Sequence, residues 1–150
     1  MIDLKHIGAL VSRHTVEVEA GRLRFFAKAT GQTDPRYVNA DAALRRGDPA
    51  LPVPPTFLYC LEMDAPNPRA LIELLDVDIG RVLHGEQSFT YYRMAYAGDR
   101  LRFETRIADI YAKKNGALEF VTCDTHVRNV AGESVADLRS TIVVRNTEVL

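Results

Sequence analysis

The chain has 150 residues, of which 47% are hydrophobic, and it carries 19 basic against 20 acidic side chains. This size suits a single domain, residues 1–150, with a buried core, and the balanced charge excludes the broad positive field on which nonspecific nucleic-acid binding depends. The sequence has no run of about 20 apolar residues that could cross a bilayer and no secretion-signal pattern at its N-terminus, so we expect a cytoplasmic protein without nucleic-acid or membrane partners.

The first part of the chain predicts one strand and two helices. A weak alternation indicates a strand over residues 15–18. Apolar residues at helical spacing predict a helix over 21–30, with Gly31 in the place of a C-cap glycine. Residues 32–35 predict a turn, and a short helix through 42–44, capped by Asn39 or Asp41, is expected to end at Gly47.

A proline-rich segment leads into the most apolar helix of the chain. This helix is expected to open at Pro54 or Pro55 and to run over 56–63, with Phe57, Cys60 and Leu61 on one face. Prolines 66 and 68 interrupt the pattern, and residues 69–75 predict another one or two helical turns. Cys60 and Cys123 lack a Cys-x-x-Cys spacing, so we expect two buried, reduced thiols.

From residue 80 onward the apolar period changes from about 3.6 to 2. Strands are predicted over 81–94, 100–111, 117–129 and 133–145, with an Asn115-Gly116 hairpin and a short turn over 130–132. An antiparallel meander with one apolar face must cover that face, and the helix over 56–63 is available to do so. The sequence therefore predicts an α+β protein with a hot-dog fold, a curved antiparallel sheet wrapped around a central helix. Because this fold leaves a sheet edge free, we expect a dimer.

The strand over 81–94 carries the most conspicuous polar cluster. In regular alternation, His84 and Glu86 share one face with Val82 and Ser88, where they could form an acid/base or thioester-positioning pair. The alternative is a structural role, in which Gly85 marks a β-bulge or a close approach of two backbones.

Other polar residues have a functional and a structural interpretation. Asp34, near Asn39 and Asp41, could approach a substrate, but turn and cap roles explain these residues as well. Asp124 and His126 share a strand face and predict a surface ion pair. The sequence has no Gly-x-Ser-x-Gly turn, no phosphate-binding loop and no clustered zinc ligands, so no cofactor or metal is expected.

Three segments together carry a family resemblance: Arg24-Phe25-Phe26-Ala27-Lys28-Ala29-Thr30-Gly31-Gln32-Thr33-Asp34-Pro35, Val53-Pro54-Pro55-Thr56-Phe57, and His84-Gly85-Glu86-Gln87 followed by Gly98-Asp99. From about Gly21 to Arg145 the chain resembles the MaoC-like dehydratase family, in its N-terminal hydratase/dehydratase type. The resemblance implies hydration of trans-2-enoyl thioesters, or dehydration of (R)-3-hydroxyacyl thioesters, carried on coenzyme A or acyl carrier protein.

Active members of that family carry an Asp and a His in a Gly-Asp-x-Asn-Pro-x-His motif. Aligned from Gly31, the motif's Asp falls on Gln32 and its His falls on Tyr37, while Pro35 is kept. Glutamine does not titrate, and a tyrosine with a pKa near 10 is a poor base at neutral pH. The resemblance therefore implies a subunit that shapes the acyl groove while a catalytic MaoC-type partner supplies the Asp and His.

The residues that the resemblance places near substrate are Gln32, Tyr37, Pro55, Thr56, His84 and Gly85. Three alternatives remain open. A self-sufficient hydratase homodimer could use Asp34 or the pair of His84 and Glu86. A hot-dog thioesterase would need a carboxylate near the central helix, where Glu62 and Asp64 are available. The third alternative is a noncatalytic protein that binds acyl thioesters.

Overall fold

In the computed structural model, which describes residues 1–146, nine helices and strands of six or more residues follow one another along the chain. They are β1 (Leu10–Glu17), α1 (Ala20–Ala29), α2 (Ala40–Arg45), α3 (Phe57–Glu62), α4 (Ala70–Leu75), β2 (Val82–Tyr91), β3 (Arg100–Lys113), β4 (Leu118–Asn129) and β5 (Ser134–Arg145). The predicted helices and long strands are confirmed to within a few residues, while β1 begins five residues earlier than the predicted strand.

The ends of the first two helices follow the local rules that predicted them. Gly31 adopts a φ of +72°, the left-handed conformation that glycine takes readily after a helix, and its N–H donates to the Lys28 carbonyl. Asn39 caps α2, because its Oδ1 accepts a hydrogen bond of 2.9 Å from the Ala42 N–H. These two ends leave residues 32–38 as a short connection between the helices.

The five strands form one antiparallel sheet in the order β1-β3-β4-β5-β2. Strands β3, β4 and β5 form the predicted meander, and Lys114 and Asn115 both take positive φ at the β3–β4 hairpin, as a type I′ turn requires. The first of the four predicted long strands, β2, does not follow the order of a simple meander, because it pairs with β5 at the edge away from β3.

The connection from β2 to β3 explains this crossing. Instead of turning back as a hairpin, it pairs with the proline-rich segment: the Val53 N–H donates to the Ala95 carbonyl, and the Ala97 N–H donates to the Leu51 carbonyl. The chain thereby passes the start of α3 on its way from one edge of the sheet to β3. This path brings residues 92–97 next to the residues that precede the central helix.

The core lies between α3 and one face of the sheet, which confirms the α+β hot-dog fold. Phe57, Leu58 and Leu61 of α3 are almost fully buried in one cluster with Phe103 and Leu138 from the sheet. A second cluster under α4 includes Cys123. Burial of the Cys123 thiol raises its pKa to about 12. Cys60 is only partly buried, in contrast to the prediction, and both cysteines are free.

Ion pairs cover the sheet face that α3 does not contact. The predicted pairing of Asp124 with His126 along β4 is wrong, because each of them pairs across to β5. His126 Nδ1 lies 2.6 Å from Asp137 Oδ1, and Arg139 Nε donates to Asp124 Oδ1 over 2.6 Å. Residues opposite each other on neighbouring strands approach more closely than residues two positions apart on one strand.

Candidate functional site

A groove of about 360 Å³ opens at the start of α3. Tyr37 from the loop after α1 and Pro55 from the proline-rich segment, two residues that the resemblance places near substrate, lie on its wall. The other lining residues are Val53, Leu58, Tyr91, Tyr92, Arg93, Met94, Ala95 and Val135. None of these described lining residues carries a carboxylate or an imidazole. We call this cavity the Tyr37 groove.

Asp34 positions the short turn that carries Tyr37. Its Oδ1 accepts a hydrogen bond of 3.0 Å from the Arg36 N–H, and its Oδ2 accepts one of 2.8 Å from Arg46 Nη1. The bond from the Arg36 backbone, followed by the charge of Arg46, lowers the pKa of Asp34. Because both carboxylate oxygens have partners, these contacts favour the structural interpretation of Asp34 over a role in proton transfer.

Arg36 anchors the same turn to the connection after β2. Its guanidinium donates two hydrogen bonds to Asp48, of 2.5 and 2.7 Å, and the Tyr96 hydroxyl donates to the same carboxylate over 3.3 Å. The hydrogen bonds from Arg36 lower the pKa of Asp48. This network holds the wall of the Tyr37 groove in place from both sides.

Thr56 joins the start of α3 to the end of β2. Its backbone takes a φ of +70°, a left-handed conformation that β-branched residues seldom adopt, and its N–H donates to the Tyr91 hydroxyl over 2.9 Å. Thr56 therefore lies beside the groove and positions Tyr91, which is part of the wall.

Gln32 is directed toward its own turn. Its Oε1 accepts a hydrogen bond of 3.1 Å from the Asp34 N–H, and Gln32 is not among the described residues that line the Tyr37 groove. Of the two positions where the resemblance implies a catalytic residue, only the one held by Tyr37 therefore contributes to the wall.

Gly85 divides the polar cluster of β2. His84 lies opposite Ile142 and Glu86 lies opposite Thr141, so the bulge at Gly85 places His84 on the helix-covered face and Glu86 on the outer face. The prediction that His84 and Glu86 share a face is wrong. The structural alternative for Gly85 is confirmed, because a Cβ on it would lie 2.9 Å from Val143 Cγ2 and 3.1 Å from the Thr141 carbonyl oxygen.

His84 borders a second cavity, of about 330 Å³, between α3, α4 and the sheet. Its buried floor includes Glu62, Thr105 and Cys123, and we call it the Glu62 cavity. Glu62 Oε1 accepts a hydrogen bond from the Thr125 hydroxyl, and the Thr105 hydroxyl lies 3.5 Å from the same oxygen. Burial raises the pKa of Glu62, although these two contacts oppose the shift.

The two carboxylates considered for thioester hydrolysis have different surroundings. Asp64 lies on the surface, where the guanidinium of Arg22 pairs with it through two nitrogens. Glu62 is 7% exposed, and its Oε2 has no hydrogen-bond partner among the protein atoms described. Of these two carboxylates, Glu62 lines the Glu62 cavity and Asp64 does not.

The structure divides the residues expected near substrate between two cavities and adds residues that the sequence did not single out. Tyr37 and Pro55 line the Tyr37 groove, whereas His84 lines the Glu62 cavity. In the sequence, the adjacent tyrosines Tyr91 and Tyr92 were the feature that could have indicated an aromatic wall at this groove. Within residues 1–146, no three His, Cys, Asp or Glu side chains gather as metal ligands, and no helix is long and apolar enough to span a membrane.

Comparisons with known proteins agree with this architecture. The chain is 37% identical over 133 residues to a UPF0336 protein of Saccharopolyspora erythraea, covering 87% of this chain and 83% of the relative. It superposes with a TM-score of 0.76 and 24% identity on the C-terminally truncated HadBC (3R-hydroxyacyl-ACP dehydratase) complex of Mycobacterium tuberculosis, covering 92% of this chain and 96% of that one.

A solved MaoC-like dehydratase superposes with a TM-score of 0.80 and 24% identity, over 95% of this chain and 43% of that one. The model of the FAS1-like dehydratase domain region matches residues 5–138, which is most of the chain and includes the Tyr37 groove. The chain therefore belongs to the family of FAS1-like, MaoC-like dehydratase domains.

Proposed function

We propose that this chain is the noncatalytic subunit of an (R)-specific enoyl-thioester hydratase or 3-hydroxyacyl-thioester dehydratase. In this assignment it shapes the groove for the acyl chain of a coenzyme A or acyl-carrier-protein thioester, and a MaoC-type partner subunit supplies the Asp and His. The observation that carries the proposal is the chemistry of the Tyr37 groove: apart from Arg93, its described walls are apolar and aromatic, and they carry no carboxylate or imidazole.

The reaction itself explains why this observation matters. Hydration of an enoyl thioester needs a base to activate water and an acid to protonate the substrate carbon, and both groups must exchange protons near neutral pH. Tyr37 stands at the position of the family's His, and Gln32 accepts a backbone hydrogen bond at the position of its Asp. A groove without these groups suits binding of an acyl chain, which gains mainly from contact with apolar side chains.

The similarity to the HadBC complex also favours a partner subunit, since that protein is described as a complex with 3R-hydroxyacyl-ACP dehydratase activity. A homodimer that is active by itself is the competing arrangement. The contacts of Asp34 and the separation of His84 from Glu86 weaken it, because neither provides a paired acid and base at one cavity.

Thioester hydrolysis is the second candidate, and Glu62 is the observation that favours it. A buried carboxyl with one oxygen that has no partner among residues 1–146 could act on a thioester carbonyl held in the Glu62 cavity. Hydrolysis and hydration give different products from the same enoyl-CoA, so one assay that follows both free thiol and the loss of the enoyl double bond distinguishes them.

The test compares the purified chain alone with the chain co-expressed with a small catalytic MaoC-type protein. We expect negligible crotonyl-CoA hydration by the chain alone and turnover by the pair. Met94→Trp, which places a large ring at the groove, should raise the KM of the pair, whereas Phe25→Trp on the exposed surface of α1 should leave it unchanged. Brisk hydration by the chain alone would refute the proposal, and release of free thiol would favour the thioesterase.

A further inference from the structure

The Glu62 cavity combines an apolar wall with a polar floor. Its wall and mouth include Leu71, Ile72, Ile79 and Ile142, of which Ile79 is exposed. At the floor, Thr105 and Thr125 come from adjacent strands, and their hydroxyls lie 2.8 Å apart beneath the Glu62 carboxyl. An apolar ligand that enters from the side of α4 would thus reach a carboxyl group at its inner end.

The hydrogen bonds on the floor leave one oxygen of this carboxyl without a partner among residues 1–146. Each threonine hydroxyl has a single proton, and the chain of bonds from Thr105 to Thr125 to Glu62 Oε1 uses both of them. Glu62 Oε2 is buried and has no protein partner in residues 1–146. A buried polar atom without a partner destabilises the free protein, so a ligand group that forms a hydrogen bond with it gains affinity.

The Gln87 side chain, next to the cavity, also has buried polar atoms without hydrogen-bond partners among the described residues. Gln87 lies opposite Ser140 in the pairing of β2 with β5, and Ser140 lines the Glu62 cavity. Both the amide nitrogen and the amide oxygen of Gln87 are buried and without partners in the part of the chain that the structure describes. Glu62 thus lines the cavity, and Gln87 lies on the neighbouring strand opposite the lining residue Ser140.

We propose that the Glu62 cavity binds an aliphatic ligand that carries a hydroxyl group at its buried end, and that Glu62 recognises this hydroxyl. A hydroxyl both donates and accepts hydrogen bonds, so it can pair with Oε2 whether the carboxyl is protonated or ionised. The apolar walls surround the hydrocarbon part and disfavour an ionic head, which would lose its hydration in the cavity. Glu62 is then the residue that determines specificity at a site separate from the Tyr37 groove.

Position along the fold supports the separation of the two sites. His84 borders the Glu62 cavity and Tyr91 borders the Tyr37 groove. Both residues lie on β2, and the seven residues from one to the other span roughly 23 Å of extended strand. The proposal for the Glu62 cavity consequently does not rest on the proposed dehydratase function, and either one can fail without the other.

The experiment titrates the intact chain with 1-hexanol, 1-hexene and hexylamine while recording protein NMR chemical shifts in sealed tubes. We expect 1-hexanol to bind about tenfold more tightly than 1-hexene, the ratio that one net hydrogen bond provides, and more tightly than hexylamine. Glu62→Met, which keeps the length of the side chain, should abolish the preference for the alcohol. Glu73→Gln, which changes an exposed carboxylate on α4 outside the cavity, should retain it.

A second measurement uses the unsubstituted chain, so that the proposal can be tested even if Glu62→Met does not fold. Nuclear Overhauser contacts from the hydroxyl-bearing methylene of bound 1-hexanol should reach the methyl groups of Thr105 and Thr125, with the opposite end near Ile79. Equal affinities for alcohol and alkene, tighter binding of hexylamine, no binding of any probe, or contacts that place the hydroxyl at the mouth would each overturn the proposal. A preference that survives Glu62→Met would overturn it as well.

Discussion

His84 and Glu86 are two residues apart on β2, yet they lie on opposite faces of the sheet because the bulge at Gly85 separates them. Regular alternation would bring both side chains to one face and create a pair suited to acid/base chemistry. The bulge instead leaves His84 at the Glu62 cavity and turns Glu86 to the outer face. A single inserted residue thereby removes one candidate catalytic pair from this chain.

Gly85→Ala should destabilise the protein by about 1–3 kcal/mol, because the added methyl group would overlap with Val143 and the Thr141 carbonyl. Urea unfolding followed by circular dichroism measures this change. Gly21→Ala is the matched control, since within residues 1–146 no atom from another part of the fold lies within 4 Å of a Cβ placed on Gly21, and alanine favours the helix. Equal stability of the Gly85→Ala variant and the original chain would mean that the bulge is not closely packed.

The two side chains beside the bulge should behave independently. In a double-mutant cycle with His84→Ala and Glu86→Ala, we expect the two changes in unfolding free energy to add within about 0.5 kcal/mol, as for residues without shared partners. Urea unfolding of the four proteins gives the coupling energy. A coupling well above this value would mean that the imidazole and the carboxylate interact.

The hydroxyl of Tyr37 should be dispensable for hydration by the complex with a catalytic partner. Tyr37→Phe should keep kcat near its original value, whereas loss of a general acid or base lowers rates by about 10²–10⁴-fold. Tyr37→Ala should instead raise KM, by roughly tenfold if the lost aromatic contact is worth about 1.4 kcal/mol. Steady-state kinetics of both variants separate the two roles, and a large fall in kcat for Tyr37→Phe would assign the proton transfer to this chain.

The buried carboxyl of Glu62 should make stability depend on pH. Because its pKa is raised in the folded state above 4.5, the folded protein holds the proton more tightly than the unfolded chain. The stabilising contribution is therefore complete below pH 4.5 and is lost as the pH rises toward the folded-state pKa.

Glu62→Gln removes this titration, so the Tm of the original chain relative to the Glu62→Gln variant should fall between acidic and mildly alkaline pH. Differential scanning calorimetry across that range measures it. Glu73→Gln provides the comparison for an exposed carboxylate on α4. A Tm difference for Glu62→Gln that stays constant with pH would contradict the expected shift.

Much of the Tyr37 groove could be anticipated from the chain itself. The loop after α1 is fixed by Gly31 at one end and by the Asn39 cap at the other, and both signals are local. The replacement of the family's Asp and His by Gln32 and Tyr37 is also visible without coordinates. The contribution of Tyr91 and Tyr92 could not be derived in this way, because it depends on β2 crossing to β5 and ending beside the start of α3.

The amino-acid sequence by itself determined the helices, the long strands and the tight hairpin at Asn115 and Gly116, because period, caps and turn residues act over a few neighbouring positions. Only the tertiary structure decided the edge at which β2 pairs, the face to which Glu86 turns, and the position of Glu62 over Thr105 and Thr125. These features depend on contacts between residues far apart along the chain, and a local pattern of apolar and polar residues does not specify such contacts.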